Sequence, residues 1–187
     1  MSSSFLAAAV ERSASSAAPS APTARSRVIF LDIDGVLNRT KTATHIRLEP
    51  DLVGRLKQIT QATNCDIVLS TFWRTFEEYV RYILHRHGIP GANVIGRTPG
   101  GASARDSPGN AVDLGTDPAD DAQYTNRAAE IRAWLSAHPE VEQFVILDDR
   151  GSASDAGLAQ HFVQTVSTVG LTDADVVRAR TILMGGE

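Results

Sequence analysis

Short runs of apolar residues alternate along this chain with longer stretches in which apolar side chains recur at helical spacing. The apolar runs are rich in Val, Ile, Leu and Phe, and polar residues follow them, as expected for strands that are buried on both faces. The predicted strands cover residues 28–31, 67–69, 144–147 and, more briefly, 161–163. A shorter apolar pair at residues 94–95 leads into a long irregular stretch.

The stretches between these strands carry the start and stop signals of helices. Pro50 suits the first turn of a helix whose apolar residues share one face. A second helix is predicted from about residue 72 to residue 87, and a third over residues 126–137. Thr172 and Asp175 form a capping-box pattern that opens a last helix. The alternation of strands and helices predicts an α/β fold, with a parallel sheet covered by helices on both faces.

Composition is typical of a globular protein. The chain has 187 residues, of which 42% are hydrophobic and 21% charged, which is enough for one domain with a buried core. The net charge of -4 gives no overall attraction to nucleic acid or to an anionic membrane. No apolar stretch approaches the ~18 residues of a membrane-spanning helix. The single cysteine, Cys65, excludes an intrachain disulfide and a cysteine-rich zinc site.

The first 26 residues differ from the rest of the chain. Ser, Ala and Pro dominate them without a period that buries a face, so we predict a disordered tail over residues 1–26 and one folded domain over residues 27–187. The arginines of the tail are faintly similar to those of a transit peptide, but an untargeted tail and a cytoplasmic protein are the favoured interpretation. A second irregular stretch, residues 97–123, is predicted to be mobile or to act as a flap over a site.

Acids and hydroxyls follow three of the predicted strands, at the point where each strand ends. They are Asp32 and Asp34 after the first strand, Ser70 and Thr71 after the second, and Asp148 and Asp149 after residues 144–147. Ligands bind parallel α/β sheets beyond the carboxyl ends of the strands, so we expect these side chains to share one edge. Each alone is common in turns, but acids at the ends of buried strands are costly to desolvate unless a cation binds them. The pattern predicts a divalent cation site and phosphoryl-transfer chemistry.

Other metal and phosphate motifs do not fit the chain. An EF-hand loop needs glycine at its sixth position, whereas Gly35 is the fourth residue counted from Asp32. The chain has no phosphate loop of the G-x-x-x-x-G-K-[ST] type and no G-x-G-x-x-G after a strand. The histidines show no spacing typical of metal ligands.

The residues at the strand ends resemble the motifs of the haloacid dehalogenase-like (HAD) phosphohydrolases. Residues 31–36, with the sequence LDIDGV, are similar to the first motif, in which the first Asp is the nucleophile and the second is the general acid/base. The resemblance assigns these roles to Asp32 and Asp34. Ser70, with Thr71 beside it, is similar to the second motif, a hydroxyl that holds the phosphoryl group. The fold implied is a Rossmann-like parallel sheet between helices.

Asp148 and Asp149 are similar to the acids of the fourth motif, which bind magnesium. The resemblance implies Mg²⁺ as cofactor, held by Asp32, by the backbone carbonyl of Asp34 and by one or both of Asp148 and Asp149. More narrowly, four segments together resemble the HAD domain of the Swiss army knife RNA repair proteins: LDIDGVLN, LSTFWR, ILDD and VGLT. The resemblance extends over about residues 28–182.

One element of the family pattern is missing. The third motif usually supplies a lysine, but Lys41 and Lys57 are the only lysines, and neither is suitably placed. Arg127, at the start of the helix before residues 144–147, stands where that cation is expected, and Arg74 is the competing candidate. Either arginine is expected to bind the phosphoryl group, and the sequence leaves the choice open.

The resemblance implies hydrolysis of a phosphomonoester through an aspartyl-phosphate. Two alternatives are a phosphotransferase and a catalytically silent binding module. Residues 38–65 leave no room for a folded cap domain, so we expect an open site that admits a small molecule, a nucleic-acid end or a phosphoprotein. Trp73 is interpreted mainly as core packing, with stacking on a nucleotide as the alternative. No membrane and no obligate protein partner is expected.

Overall fold

The computed structural model describes residues 26–41, 43–99, 127–155 and 157–186. These residues form five strands and four α-helices, which are named here in chain order. The strands are β1 (Arg27–Leu31), β2 (Asp66–Leu69), β3 (Val94–Arg97), β4 (Gln143–Asp148) and β5 (Phe162–Gln164). The helices are α1 (Pro50–Thr63), α2 (Glu77–Arg86), α3 (Arg127–Ala137) and α4 (Asp173–Leu183).

The central strand of the sheet is β1. The strand order is β3-β2-β1-β4-β5, and every neighbouring pair is parallel. Side chains of β1 alternate between the faces, since Ile29 and Leu31 join one buried cluster while Val28 and Phe30 join the other. All four are fully buried, which explains why the run is apolar throughout. The predicted α/β fold with a parallel sheet between helices is confirmed.

Helices cover both faces of the sheet. The larger cluster contains Leu56 of α1, Leu84 of α2 and Ala179 of α4, and the smaller one contains Ile131 and Trp134 of α3. On the α3 side, the Trp134 and Phe30 rings meet edge to face with their centroids 5.4 Å apart. The two layers hold the sheet rigidly, so its strand ends are fixed points on which a site can be built.

The structure differs from the sequence prediction at two elements. Residues 72–87 were predicted as one helix, but they form a 3₁₀ turn over Phe72–Phe76 followed by α2. The turn begins at Thr71, whose side chain accepts a hydrogen bond from the Trp73 amide and so caps it. The apolar pair at residues 94–95 belongs to the edge strand β3, whose pattern is weak because Ile95 is 45% exposed and Gly96 follows it.

Several other predictions concern the chain outside the strands. The capping box of α4 is confirmed, with the Asp175 amide donating to the Thr172 hydroxyl and the Thr172 amide to the Asp175 carboxylate.

Residues 32–41 and 43–49 form no helix or strand, so this part of the described chain carries no folded cap. The predicted tail (residues 1–26) and irregular stretch (residues 97–123) lie almost entirely outside the described residues. No helix in the described ranges is long and apolar enough to cross a membrane.

Candidate active site

The candidate site lies at the carboxyl ends of β1, β2 and β4. The registers pair Leu31 with Leu69 on one side and with Leu147 on the other, so the three strands end at one level. Beyond them, the Ser70 amide donates to the Leu31 carbonyl at 2.9 Å, and the Asp32 amide donates to the Leu147 carbonyl at 2.9 Å. The polar residues that follow these strands therefore meet at one edge of the sheet.

Three carboxylates are gathered at this edge. Asp32, Asp148 and Asp149 are 4%, 0% and 9% exposed, and each offers an oxygen that lies within 4.8 Å of the others. Three anions so close and so well buried repel one another and lose their hydration. Such a group is stabilised by nearby cations or by protonation of one of its carboxyls.

Arg127 supplies part of that compensation. It is the first residue of α3 and is 3% exposed, and its Nη1 donates to Asp32 Oδ2 at 2.7 Å and to Asp148 Oδ2. Burial alone would lower the pKa of Arg127, but the charges of Asp32 and Asp148 outweigh burial and raise it above its usual range. Cations are not favoured at a helix N-terminus, so the two acids explain why an arginine stands there.

Arg74, the competing cation, is turned to other partners. Its Nη1 donates to the Thr71 carbonyl at 3.2 Å, and its Nη2 lies 3.6 Å from Glu130 Oε1. The contacts that the structure describes for Arg74 include none of the three carboxylates. The structure thus places Arg127, rather than Arg74, against the predicted nucleophile.

Asp148 and Asp149 are adjacent in the chain but have different partners. Asp148 Oδ1 accepts the Arg150 amide at 2.8 Å and its Oδ2 accepts Arg127, so each of its oxygens accepts one hydrogen bond. Asp149 Oδ2 accepts the Ser167 hydroxyl at 2.7 Å, whereas its Oδ1 is buried with no hydrogen-bond partner among the described residues. Burial raises the pKa of both carboxyls.

The two predicted phosphate-binding hydroxyls also differ. Ser70 is 1% exposed, and its Oγ finds no partner in the described part of the chain. Thr71 is fully buried, and its Oγ1 already accepts the Trp73 amide at 3.3 Å. A buried hydroxyl without a partner is uncommon in native proteins, so Ser70 is the one poised for a ligand.

Asp34 stands apart from the three carboxylates. Its Oδ1 accepts the Asn38 Nδ2 at 2.7 Å, and its Oδ2 accepts the Trp73 Nε1 at 3.1 Å and the Ala43 amide at 3.2 Å. Burial raises the pKa of this half-buried carboxyl. Trp73 is 3% exposed, which favours the packing interpretation over stacking of its ring on a nucleotide.

The last residue of β5 and the segment that follows it support the site. The Gln164 side chain donates to the Asp149 carbonyl at 3.1 Å, and the Thr165 hydroxyl donates to the Gly35 carbonyl at 2.7 Å. With Ser167 on Asp149 Oδ2, these three side chains form what we call the β5 clamp. Sequence reasoning missed the clamp and missed Trp73 as a partner of Asp34, because nothing in local spacing links residues so far apart. It also missed Asn38, although Asn38 is only four residues from Asp34.

Gly35 has a backbone conformation and a position that only glycine fits. Its φ is +71°, and a Cβ there would lie 2.5 Å from Asp149 Oδ2. Positive φ is costly for residues with a side chain, and Asp149 cannot move freely because Ser167 holds it. The turn after β1 is thus packed directly against a metal-ligand candidate.

We expect Gly35→Ala to lower the free energy of unfolding by about 1–3 kcal/mol, through backbone strain and displacement of Asp149. Chemical denaturation measures the loss. Gly54→Ala in α1 is the matched control, since no atom lies within 4 Å of its added Cβ. That control should gain about 0.5–1 kcal/mol, because alanine is the better helix former. Equal stabilities for the two variants would contradict the close approach.

A comparison with known families identifies the domain. A family model described as the HAD domain in Swiss Army Knife RNA repair proteins matches residues 28–176. The chain belongs to this family. The match starts in β1 and ends in α4, so it includes every strand end that bears a carboxylate. No curated protein and no solved structure matches the chain significantly.

Membership of this family bears on what the carboxylates at the sheet edge can bind. The HAD domain belongs to a superfamily of hydrolases, and magnesium is its common cofactor. The buried group of Asp32, Asp148 and Asp149 is of a kind that holds a metal ion, since carboxylate oxygens are the ligands that Mg²⁺ prefers. Asp149 Oδ1 fits the same interpretation, since it has no hydrogen-bond partner among the described residues and its nearest described cation, Arg150 Nε, lies 4.0 Å away.

Proposed function

We propose that this HAD domain is a magnesium-dependent phosphohydrolase that acts on a phosphomonoester through an aspartyl-phosphate on Asp32. The main support is that two buried polar atoms, Ser70 Oγ and Asp149 Oδ1, find no hydrogen-bond partner among the described residues. They follow β2 and β4, the two strands that flank β1. A phosphoryl oxygen at the serine and a cation at the aspartate would satisfy both atoms, with the nucleophile between them.

Asp32 is the nucleophile in this proposal. Its Oδ1 accepts the Ile33 amide at 2.7 Å and its Oδ2 accepts Arg127, so the carboxylate is oriented before substrate arrives. One of its oxygens bonds to phosphorus while the bond from phosphorus to the leaving oxygen breaks. Asp34 gives its proton to that leaving oxygen.

The second half of the reaction regenerates the enzyme. Water attacks the phosphorus of the aspartyl-phosphate, Asp34 takes the proton of the water, and Asp32 leaves as a carboxylate. Inorganic phosphate is released, and Asp34 is protonated for the next cycle. Asp34 thus acts twice, as an acid and then as a base.

Arg127 and Ser70 stabilise the phosphoryl group in this proposal. Arg127 is held on the sheet edge by Asp32 and Asp148 and brings a permanent positive charge to it. Ser70 donates its hydroxyl to a phosphoryl oxygen. Thr71 instead shapes the following turn through its bond to the Trp73 amide.

The metal is assigned to Asp32, Asp149 and the backbone carbonyl of Asp34. Asp148 is assigned mainly to Arg127, because each of its oxygens already accepts one hydrogen bond, whereas Asp149 Oδ1 accepts none from the described residues. Bound Mg²⁺ would supply positive charge that offsets the repulsion between the Asp32 carboxylate and the phosphate. The adjacent aspartates therefore have separate tasks.

This division predicts different responses to magnesium in two neighbouring variants. Asp149→Asn should abolish the rise in melting temperature that Mg²⁺ gives the wild type, because it removes a ligand. Asp148→Asn should retain most of that rise, since Asp148 holds Arg127. Thermal melts with and without Mg²⁺, on both variants, measure the difference. A rise that survives in Asp149→Asn and vanishes in Asp148→Asn would reverse the assignment.

The substrate class proposed is a phosphorylated RNA end. The family is named for RNA repair proteins, and residues 32–41 and 43–49 form no folded cap that would restrict the site to small molecules. A phosphoprotein and a small phosphate ester are the competing substrates. Release of phosphate from each, compared at equal concentration, ranks the three classes.

The deciding experiment uses wild-type protein with an aryl phosphate and with RNA oligonucleotides phosphorylated at the 3′ or the 5′ end. Each is incubated with Mg²⁺ or with a chelator, and free phosphate is measured. Magnesium-dependent release supports the proposal, and transfer of the phosphoryl group to an added alcohol in place of water would favour a phosphotransferase. No release, together with no magnesium-dependent binding of beryllofluoride, would favour a silent binding module.

A further inference from the structure

The hydrogen bonds around Asp34 are distributed unequally between its two oxygens. Oδ2 accepts two donors, the Trp73 Nε1 at 3.1 Å and the Ala43 amide at 3.2 Å. Among the described residues, Oδ1 accepts one donor, the Asn38 Nδ2 at 2.7 Å. A carboxylate oxygen has two lone pairs in its plane, so the described donors fill Oδ2 and leave one acceptor position on Oδ1.

At Asp34 Oδ2, Trp73 can act only as a hydrogen-bond donor. The indole N–H has no acceptor capacity, and the ring is locked by burial and by edge-to-face packing on Phe72, with centroids 5.7 Å apart. The Thr71 cap fixes the backbone from which the ring projects. The indole is therefore a rigid donor that reaches Asp34 across 39 positions of sequence.

Asn38 is equally restricted at Oδ1. Its Oδ1 accepts the amides of Gly35 and Thr40 at 3.2 and 3.3 Å, so its amide group cannot be flipped. Its Nδ2 is shared between Asp34 and the Arg47 carbonyl. It donates to Asp34 without filling the second lone pair.

We infer that Trp73 is a positioning residue that, with the Ala43 amide, keeps Asp34 Oδ2 as an acceptor and leaves Oδ1 to carry the proton exchanged with substrate and water. The inference rests on the proposed function, because it specifies the acid/base atom of that reaction. Oδ1 donates its proton to the leaving oxygen as the bond from phosphorus breaks. It then takes one proton from the attacking water.

The inference predicts a leaving-group effect. An alkyl phosphate develops much negative charge on its leaving oxygen and needs the proton, whereas p-nitrophenyl phosphate leaves readily without it. Trp73→Phe keeps the aromatic packing but removes the N–H. It should lower kcat/KM for the alkyl phosphate about 10-fold or more beyond any change for p-nitrophenyl phosphate. The ratio kcat/KM is read because it reports phosphoryl transfer to Asp32 and not the later hydrolysis.

Trp134→Phe is the matched control, since Trp134 is buried in the opposite cluster and contacts Phe30. It should leave the ratio between the two substrates unchanged. The chain has only two tryptophans, so in the Trp134→Phe background Trp73 can be replaced with benzothienylalanine, which has sulfur in place of the N–H. This near-isosteric replacement keeps the test decisive if Trp73→Phe does not fold.

The outcomes separate the inference from the proposed function. A selective loss on the alkyl phosphate, in either tryptophan replacement, supports the role of Trp73. An equal loss on both substrates, or no loss, overturns that role while the phosphohydrolase stands. A wild type that hydrolyses neither substrate in Mg²⁺ overturns the proposed function, and the role of Trp73 with it.

Discussion

We expect Asp32→Asn to abolish phosphomonoester hydrolysis while the protein keeps its fold. An amide is a poor nucleophile, so the aspartyl-phosphate cannot form, and we expect kcat/KM to fall at least ~10³-fold. The fold should survive because Asn has almost the shape of Asp and can still accept the Ile33 amide. Without Mg²⁺ the variant should be no less stable than wild type, since it removes one of three crowded negative charges.

Initial rates and thermal melts, measured on the same preparations, test both halves of this expectation. Asp155→Asn is the control, because Asp155 is a surface aspartate whose side chain pairs with Arg132 of α3. Its rate should equal that of wild type. Asp32→Asn activity within tenfold of wild type would remove Asp32 as the nucleophile.

Arg127→Met is expected to destabilise the protein strongly as well as to inactivate it. Met has a similar length but no charge, so Asp32 and Asp148 would remain buried without their shared partner. Breaking a buried ion pair from one side costs about 3–5 kcal/mol of unfolding free energy. Arg127→Lys keeps the charge, so it should recover part of the stability and of the rate.

Chemical denaturation at neutral pH measures these differences. Arg132→Met is the matched control on the same helix, because Arg132 pairs with Asp155 at the surface, where solvent screens the interaction. We expect little change in that variant. If Arg127→Met were no less stable than Arg132→Met, the two carboxylates would not depend on the arginine.

The sequence predicts the frame of the site because that frame follows from the sheet. An apolar run such as residues 28–31 is buried on both faces, so it belongs in the middle of a parallel sheet, and its neighbours end at the same level. The meeting of Asp32, Ser70 and Asp148 at one edge follows directly. This part of the site can be predicted without knowledge of any side-chain contact.

The remaining details depend on tertiary contacts, which produce no periodic pattern in the sequence. Arg127 and Arg74 each begin a helical segment, and only the packing of α3 shows that Arg127 meets Asp32. The bond from Trp73 to Asp34 and the bond from Ser167 to Asp149 join residues whose local patterns indicate a turn and nothing more. The edge strand β3 was missed because its exposed and glycine positions break the apolar run.

The β5 clamp ties the candidate site to a short edge strand of the sheet. Strand β5 is an edge strand of only three residues, yet the segment after it holds Asp149 and Gly35, and the Leu171 amide bonds to the Val36 carbonyl at 3.0 Å. Edge elements open locally at a lower free energy than the core. A transient detachment of β5 would release both sides of the candidate metal site at once, while β1, β2 and β4 stay folded. We therefore expect fraying at this edge, rather than global unfolding, to limit the lifetime of the active arrangement.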